Sequence, residues 1–121
     1  MSAKGRHITL DYTGFSGGGE WVLAVLRAAV SRSNAREVHA HVSEFDGIKS
    51  PLGFAAVILI DESHVSAHCY AEEGILAVDC FTCGEIDPTG IADDIHKQLS
   101  EAIPTINLIQ RTELDRFIME D

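Results

Sequence analysis

A serine, a histidine and a cysteine fall close together in the stretch Asp61 to Gly84, DESHVSAHCYAEEGILAVDCFTCG, and these residue types can do chemistry. Ser63 follows Glu62 at the end of the apolar run Phe54 to Ile60, so its hydroxyl is expected at a strand end, where reactive groups are commonly displayed. His64, Ser66 and His68 alternate, which places them on one face of a strand and Val65, Ala67 and Cys69 on the other. Ile75 to Phe81, followed by Thr82-Cys83-Gly84, reads as a second strand whose exit carries a thiol, and Gly74 suits a tight turn between the two. Facing strands of this kind predict a hydroxyl and an imidazole on a shared surface, with Cys83 near Ser63 or His68. Such a set offers a nucleophile, a base and a proton donor.

Each residue also has a plainer use. Ser63 suits a turn or a helix cap, His68 a half-buried strand position, and Cys83 a small core hydrophobe. Cys80 and Cys83 form a C-x-x-C pair, which invites a redox or zinc reading, but the chain has no second such pair. His39-Ala40-His41 puts two imidazoles on one strand face and leaves a two-histidine metal site as an alternative. Each plain use explains one residue; none explains three in register.

Glu62-Ser63-His64, His68 and Phe81-Thr82-Cys83-Gly84 together resemble the signature of bacterial and archaeal S-adenosylmethionine decarboxylase proenzymes. The resemblance covers most of the chain and is strongest over Pro51 to Gly84. It implies a single domain that cleaves itself between Glu62 and Ser63 into chains 1–62 and 63–121, with Ser63 becoming a pyruvoyl group and no metal required. It further implies a homodimer, with sites that the second protomer helps to complete, and substrate contacts at Phe45, Val65, Tyr70 and Glu72. The expected product is the aminopropyl donor for spermidine.

The residues are chemically suited to these roles. Attack by the Ser63 hydroxyl on the Glu62 carbonyl replaces an amide by an ester, a far better leaving group. His68 can then remove the α-proton of residue 63, which releases Glu62 and leaves a dehydroalanine that becomes the pyruvoyl group; imidazoles titrate near neutrality and suit the task. A Schiff base between substrate amine and pyruvoyl carbonyl accepts the electrons left by carbon dioxide. Cys83 is expected to return the proton.

The elements that must position these groups can be read in order. A strand is expected at His7 to Tyr12, a glycine-rich turn at Gly14 to Gly19, and a helix from about Glu20 to Ser33 with Trp21, Val22, Val25, Leu26, Ala29 and Val30 as its apolar stripe. Gly17 to Gly19 lacks the spacing and the lysine of a phosphate-binding loop. Strands follow at Val38 to Phe45, Phe54 to Ile60, Val65 to Tyr70 and Ile75 to Cys80, the second with apolar residues on both faces. Ile91, Ile95 and Leu99 mark a helix over Ile91 to Ser100, with Asp93 and Asp94 early and Lys97 late to complement its dipole. A last strand at Thr105 to Gln110 precedes a charged tail. The expected fold class is α+β, a two-layer sandwich of one mostly antiparallel β-sheet with two helices on one face.

The chain of 121 residues has room for one domain, and 45% hydrophobic residues suit a packed core. A net charge of −10 repels phosphate backbones and excludes nucleic acid as an expected partner, while a small cationic substrate is compatible. Three cysteines and no charged-then-apolar leader point to a reduced, cytoplasmic setting, and no apolar run reaches membrane-spanning length. Departures from the family pattern bear on the substrate. Where its relatives carry Phe-x-Pro-x-Gly-x-Ser, this chain has Lys49 and Ala55 at the Phe and Ser positions, losing a ring expected on adenine and a hydroxyl that assists processing. Phe45 or Phe54 can replace the ring, and Tyr70 keeps an aromatic face for a cation. The alternatives are a pyruvoyl-dependent L-ornithine or L-arginine decarboxylase on the same fold and, more remotely, a non-catalytic dimeric relative that binds a metal or ligand.

Overall fold

The computed structural model describes residues 2–120. Its elements run β1 (Ser2–Thr13), α1 (Gly19–Ser31), β2 (His39–Phe45), β3 (Gly53–Ile60), β4 (Ser63–Tyr70), β5 (Ile75–Cys83), α2 (Pro88–Ala102) and β6 (Asn107–Met119). The strands form one six-stranded sheet in the order β2-β3-β4-β5-β1-β6, and every neighbouring pair is antiparallel. Both helices lie on one face, so the expected α+β sandwich is the fold.

Alternation decides which side chains reach the core. Ile8, Leu10 and Tyr12 on β1, Phe54, Ala56, Ile58 and Ile60 on β3, Val65, Ala67 and Cys69 on β4, and Leu76, Val78 and Cys80 on β5 all point to the helices and are buried. They meet Val22, Val25, Leu26, Ala29 and Val30 of α1 and Ile91, Ala92, Ile95 and Leu99 of α2. Trp21 does not join this stripe: it is 37% exposed and lines a shallow hollow with Ser16, Ala102 and Pro104. Gln98 ties the helices together by donating from Nε2 to the Val25 carbonyl, and Arg32 pairs with Asp94 at 2.7 Å.

α2 starts three residues earlier than its apolar spacing suggests. Asp87 caps it by accepting from the Thr89 amide at 2.9 Å, and Pro88, whose ring presets the helical φ, opens the first turn. Asp93 and Asp94 therefore lie beyond that turn and pair with Arg111 and Arg32 instead of complementing the dipole. The charged tail also differs from expectation. It is strand β6, because β1 extends back to Ser2 and its outer edge pairs with 107–119 along almost its whole length.

β3 is apolar on both faces as read, yet only one face is covered. Ala55 and Val57 are half-buried and Leu59 is 44% exposed on the side away from the helices. That open side of the sheet carries His7, His64, His68, Asp79 and Cys83.

Candidate active site

A tight hairpin joins β3 to β4: Ile60 pairs with Ser63 and the turn is Asp61-Glu62, so the Glu62–Ser63 peptide sits at the tip. Asp61 adopts a left-handed φ of 55°, which its short polar side chain tolerates better than most, and Arg36 holds its carboxylate at 2.6 Å. β5 ends beside this hairpin. The Cys83 amide donates to Ser63 Oγ at 2.9 Å, and Cys83 Sγ lies 3.9 Å from the Glu62 carbonyl oxygen. Thr82 fixes the exit by donating from Oγ1 to the Ile86 carbonyl at 2.7 Å, and Gly84 turns away with φ of 67° while donating its amide to the Lys4 carbonyl. The Ser63 hydroxyl, the Glu62 carbonyl and a thiol are thus assembled by two strand ends, with Ser63 only 4% exposed.

His68 is not part of that assembly within one protomer. It stands five residues along β4 from Ser63, roughly 16 Å at the rise of a strand, and the odd spacing puts it on the opposite face. The expected same-face Ser63–His68 pair is therefore corrected: Ser63 shares its face with Val65, Ala67 and Cys69, because β4 begins at Ser63 itself. Val65 is also removed from the substrate-contacting set, since it is fully buried beneath the helices.

Register orders the open face into cross-strand rows. His7, Phe81 and His64 form one row, Thr9, Asp79 and Ser66 the next, and Asp11, Ala77, His68 and Ala55 the one after. Near the Cys83 end, His7 Nε2 meets Asp79 Oδ1 at 3.0 Å, and the His7, His64 and Phe81 rings lie with centroids 5.4–6.4 Å apart. Burial, then the neighbouring His7, push His64 below the ordinary imidazole value; Asp79 opposes this and Arg116 reinforces it. The His7–Asp79 pair escapes a reading of sequence, because it depends on β1 pairing with β5 across the whole chain.

At the far end of the sheet a cavity of about 540 Å³ is lined mainly by apolar groups, with Phe45, Phe54, His68, Tyr70, Asp11 and Ile109 on its walls. That volume suits a small-molecule ligand. Glu72 is exposed in the turn after Tyr70, and Lys49 is exposed in the loop before β3. The C-x-x-C reading fails on geometry, since Cys80 is fully buried on the helix side, its thiol pushed up to about 12 by burial, while Cys83 faces the other way. His39 and His41 lie on the edge strand β2, where His41 Nε2 meets Ser43 Oγ at 3.0 Å. Among the described residues no three His, Cys, Asp or Glu side chains are grouped to hold a metal ion, and no helix is long and apolar enough to cross a membrane.

A one-sided antiparallel sandwich with a serine-thiol hairpin site defines a narrow class of protein, and comparison with known proteins agrees with it. The family profile described as S-adenosylmethionine decarboxylase matches residues 6–112. An S-adenosylmethionine decarboxylase proenzyme of Symbiobacterium thermophilum is 31% identical over 115 residues, which cover 91% of this chain and 84% of that one. A proenzyme of the same description from Anoxybacillus flavithermus is 33% identical over 105 residues, covering 82% and 80%. The crystal structure of the adenosylmethionine decarboxylase from Aquifex aeolicus VF5 superposes with a TM-score of 0.78 at 27% identity, over 100% of this chain and 97% of that one. The chain belongs to the S-adenosylmethionine decarboxylase family.

Proposed function

We propose that this protein is a self-processing carboxy-lyase that decarboxylates S-adenosylmethionine and supplies the aminopropyl donor for spermidine. The observation that carries the reading is the convergence of Ser63 Oγ, the Glu62 carbonyl and Cys83 at one hairpin. The residues fit a pyruvoyl group made from Ser63. The hydroxyl is held against the scissile peptide, attack on the Glu62 carbonyl moves the acyl group from nitrogen to oxygen, and loss of the residue 63 α-proton expels the Glu62 carboxylate. A pyruvoyl carbonyl at position 63 supplies an electron sink for the bond that releases carbon dioxide. Cys83 lies beside position 63 and serves as the proton donor.

The processing base is His68 of a second copy. Within one protomer His68 is too far away along β4, whereas two open sheet faces packed about a twofold axis bring the His68 row of one copy to the hairpin tip of the other, where residue 63 presents its α-carbon and Cys83 its thiol. The exposed Leu59 and half-buried Val57 and Ala55 on that face favour such a homodimer. The same packing brings the cavity with Phe45, Tyr70 and His68 to the partner's position 63, and Glu72 lies in the turn that follows. Its size and aromatic walls favour a nucleoside over a free amino acid, so Phe45 and Tyr70 take the place of the ring missing at Lys49. The free Cys69, Cys80 and Cys83 suit the cytoplasm.

Intact mass of freshly purified protein is expected to show fragments 1–62 and 63–121, the second blocked at its amino terminus, and Ser63→Ala is expected to stay one chain. Carbon dioxide release from S-adenosylmethionine, ornithine and arginine at equal concentration then tests the substrate. An uncleaved but fully active wild type overturns the processing, and release from either amino acid alone overturns the substrate.

A further inference from the structure

Arginines in this acidic chain are nearly all neutralised. Arg6 pairs with Asp87 and Glu113, Arg27 with Glu37, Arg32 with Asp94, Arg36 with Asp61 and Arg111 with Asp93. Arg116 is the remaining one, and among the described residues no carboxylate pairs with it. Its Nη1 instead donates to His7 Nδ1 at 3.3 Å, and its guanidinium carbon stands 5.6 Å from the centre of the Phe81 ring. Because an arginine can only donate, His7 presents a bare Nδ1 to it and gives its own Nε2 proton to Asp79 at 3.0 Å. The Asp79 carboxylate therefore orients Arg116 through an imidazole and does not cancel its charge.

The register aims that charge at the reaction centre. Arg116 on β6 stands opposite Gly5 of β1, and Gly5 stands opposite Cys83 of β5, so the three lie in one row across the sheet. The space between is floored by aromatic rings: residue 5 is a buried glycine, and a Cβ there would come within 3.2 Å of the Phe81 ring and 3.4 Å of the Phe117 ring. Two strand spacings put the Cα atoms of Arg116 and Cys83 roughly 10 Å apart, within reach of a substrate of a few atoms attached at position 63.

We propose that Arg116 anchors the α-carboxylate of the substrate, a specificity role that rests on the decarboxylase reading above. The planar guanidinium keeps donors free for a two-bond contact with a carboxylate. Phe81 covers one side of the guanidinium and His7 holds its orientation. The carboxylate loses its charge as carbon dioxide departs, so the contact belongs to the bound ground state. Its removal therefore raises KM and does not lower kcat, which rises to the extent that the contact is already lost in the transition state.

The test uses the full-length processed protein with Arg116→Met and Arg116→Lys, read by steady-state turnover of S-adenosylmethionine and by inhibition with decarboxylated S-adenosylmethionine, which keeps the cation and nucleoside but has no carboxylate. Arg116→Met is expected to raise KM about tenfold with kcat not reduced, and Arg116→Lys to fall between it and wild type. The inhibition constant of the decarboxylated compound is expected to stay the same in all three. A merely structural role through His7 or Phe81 would weaken both compounds together. An unchanged KM, or a parallel loss of product binding, overturns the anchor while leaving the decarboxylase reading in place. A wild type that releases no carbon dioxide from S-adenosylmethionine overturns both.

Discussion

Ser63 and Cys83 carry distinct parts of the proposed chemistry although a hydrogen bond of 2.9 Å joins them. The contact to Ser63 comes from the Cys83 backbone amide, which any residue at 83 retains, whereas protonation of the carbanion needs the thiol. Cys83→Ala is therefore expected to cleave to wild-type extent on a denaturing gel and then to turn over at least about tenfold more slowly, or to release wrongly protonated product. Wild-type turnover in that variant moves the acid role elsewhere. His64, next to the cleavage point, bears on stability. Its folded value lies below the ordinary 6.5, so its contribution is present above pH 6.5 and is lost as pH falls through the depressed folded value. The denaturant midpoint is expected to fall on that acid side, and His64→Gln to flatten the decline; an identical profile in the variant removes His64 as the cause.

The hairpin tip is only as well placed as β3 and β4 are anchored. Ile58 is fully buried on β3 beneath the helices, two residues before Ile60, the partner of Ser63. Ile58→Ala is expected to cost about 2–5 kcal/mol in chemical denaturation, because a core packed against α1 cannot close over the lost side chain. Leu59→Ala, one position along but on the open face, is expected to cost the isolated protomer far less; equal losses at both positions would mean that the open face is packed within one chain. The strands and helices between Gly19 and Ala102 are legible in the sequence because each has one buried face, and alternation or helical spacing records it. β6 beyond Gln110 is not legible. Its side chains are mostly exposed on both faces, and pairing with β1 depends on backbone groups that leave no trace in residue type.

Assembly at the scale of the whole molecule is where His68 acquires its role. If it acts on a second copy, co-expressed Ser63→Ala and His68→Ala chains form mixed dimers with one intact and one doubly defective site. Cleavage of the His68→Ala chain, absent when it is expressed alone, is expected to return in the mixture, up to the fraction of mixed dimers measured by native mass spectrometry. Absence of rescue in dimers shown to be mixed would place the base within the protomer.

From the sequence alone came the α+β class, Ser63 at a strand end, Cys83 at a strand exit and the family signature, because local alternation, turn residues and short-range spacing are written into neighbouring residues. Tertiary structure decided which face each group occupies. It sent Ser63 and Val65 to the helix side, separated Ser63 from His68, split Cys80 from Cys83, and built the His7–Asp79 and Arg116–Phe81 contacts from segments far apart in the chain. The physical reason is that strand faces alternate with every residue. The start of β4 at Ser63, and the register of β1 against β5 and β6, fix which side chains meet, and long-range hydrogen bonding sets both.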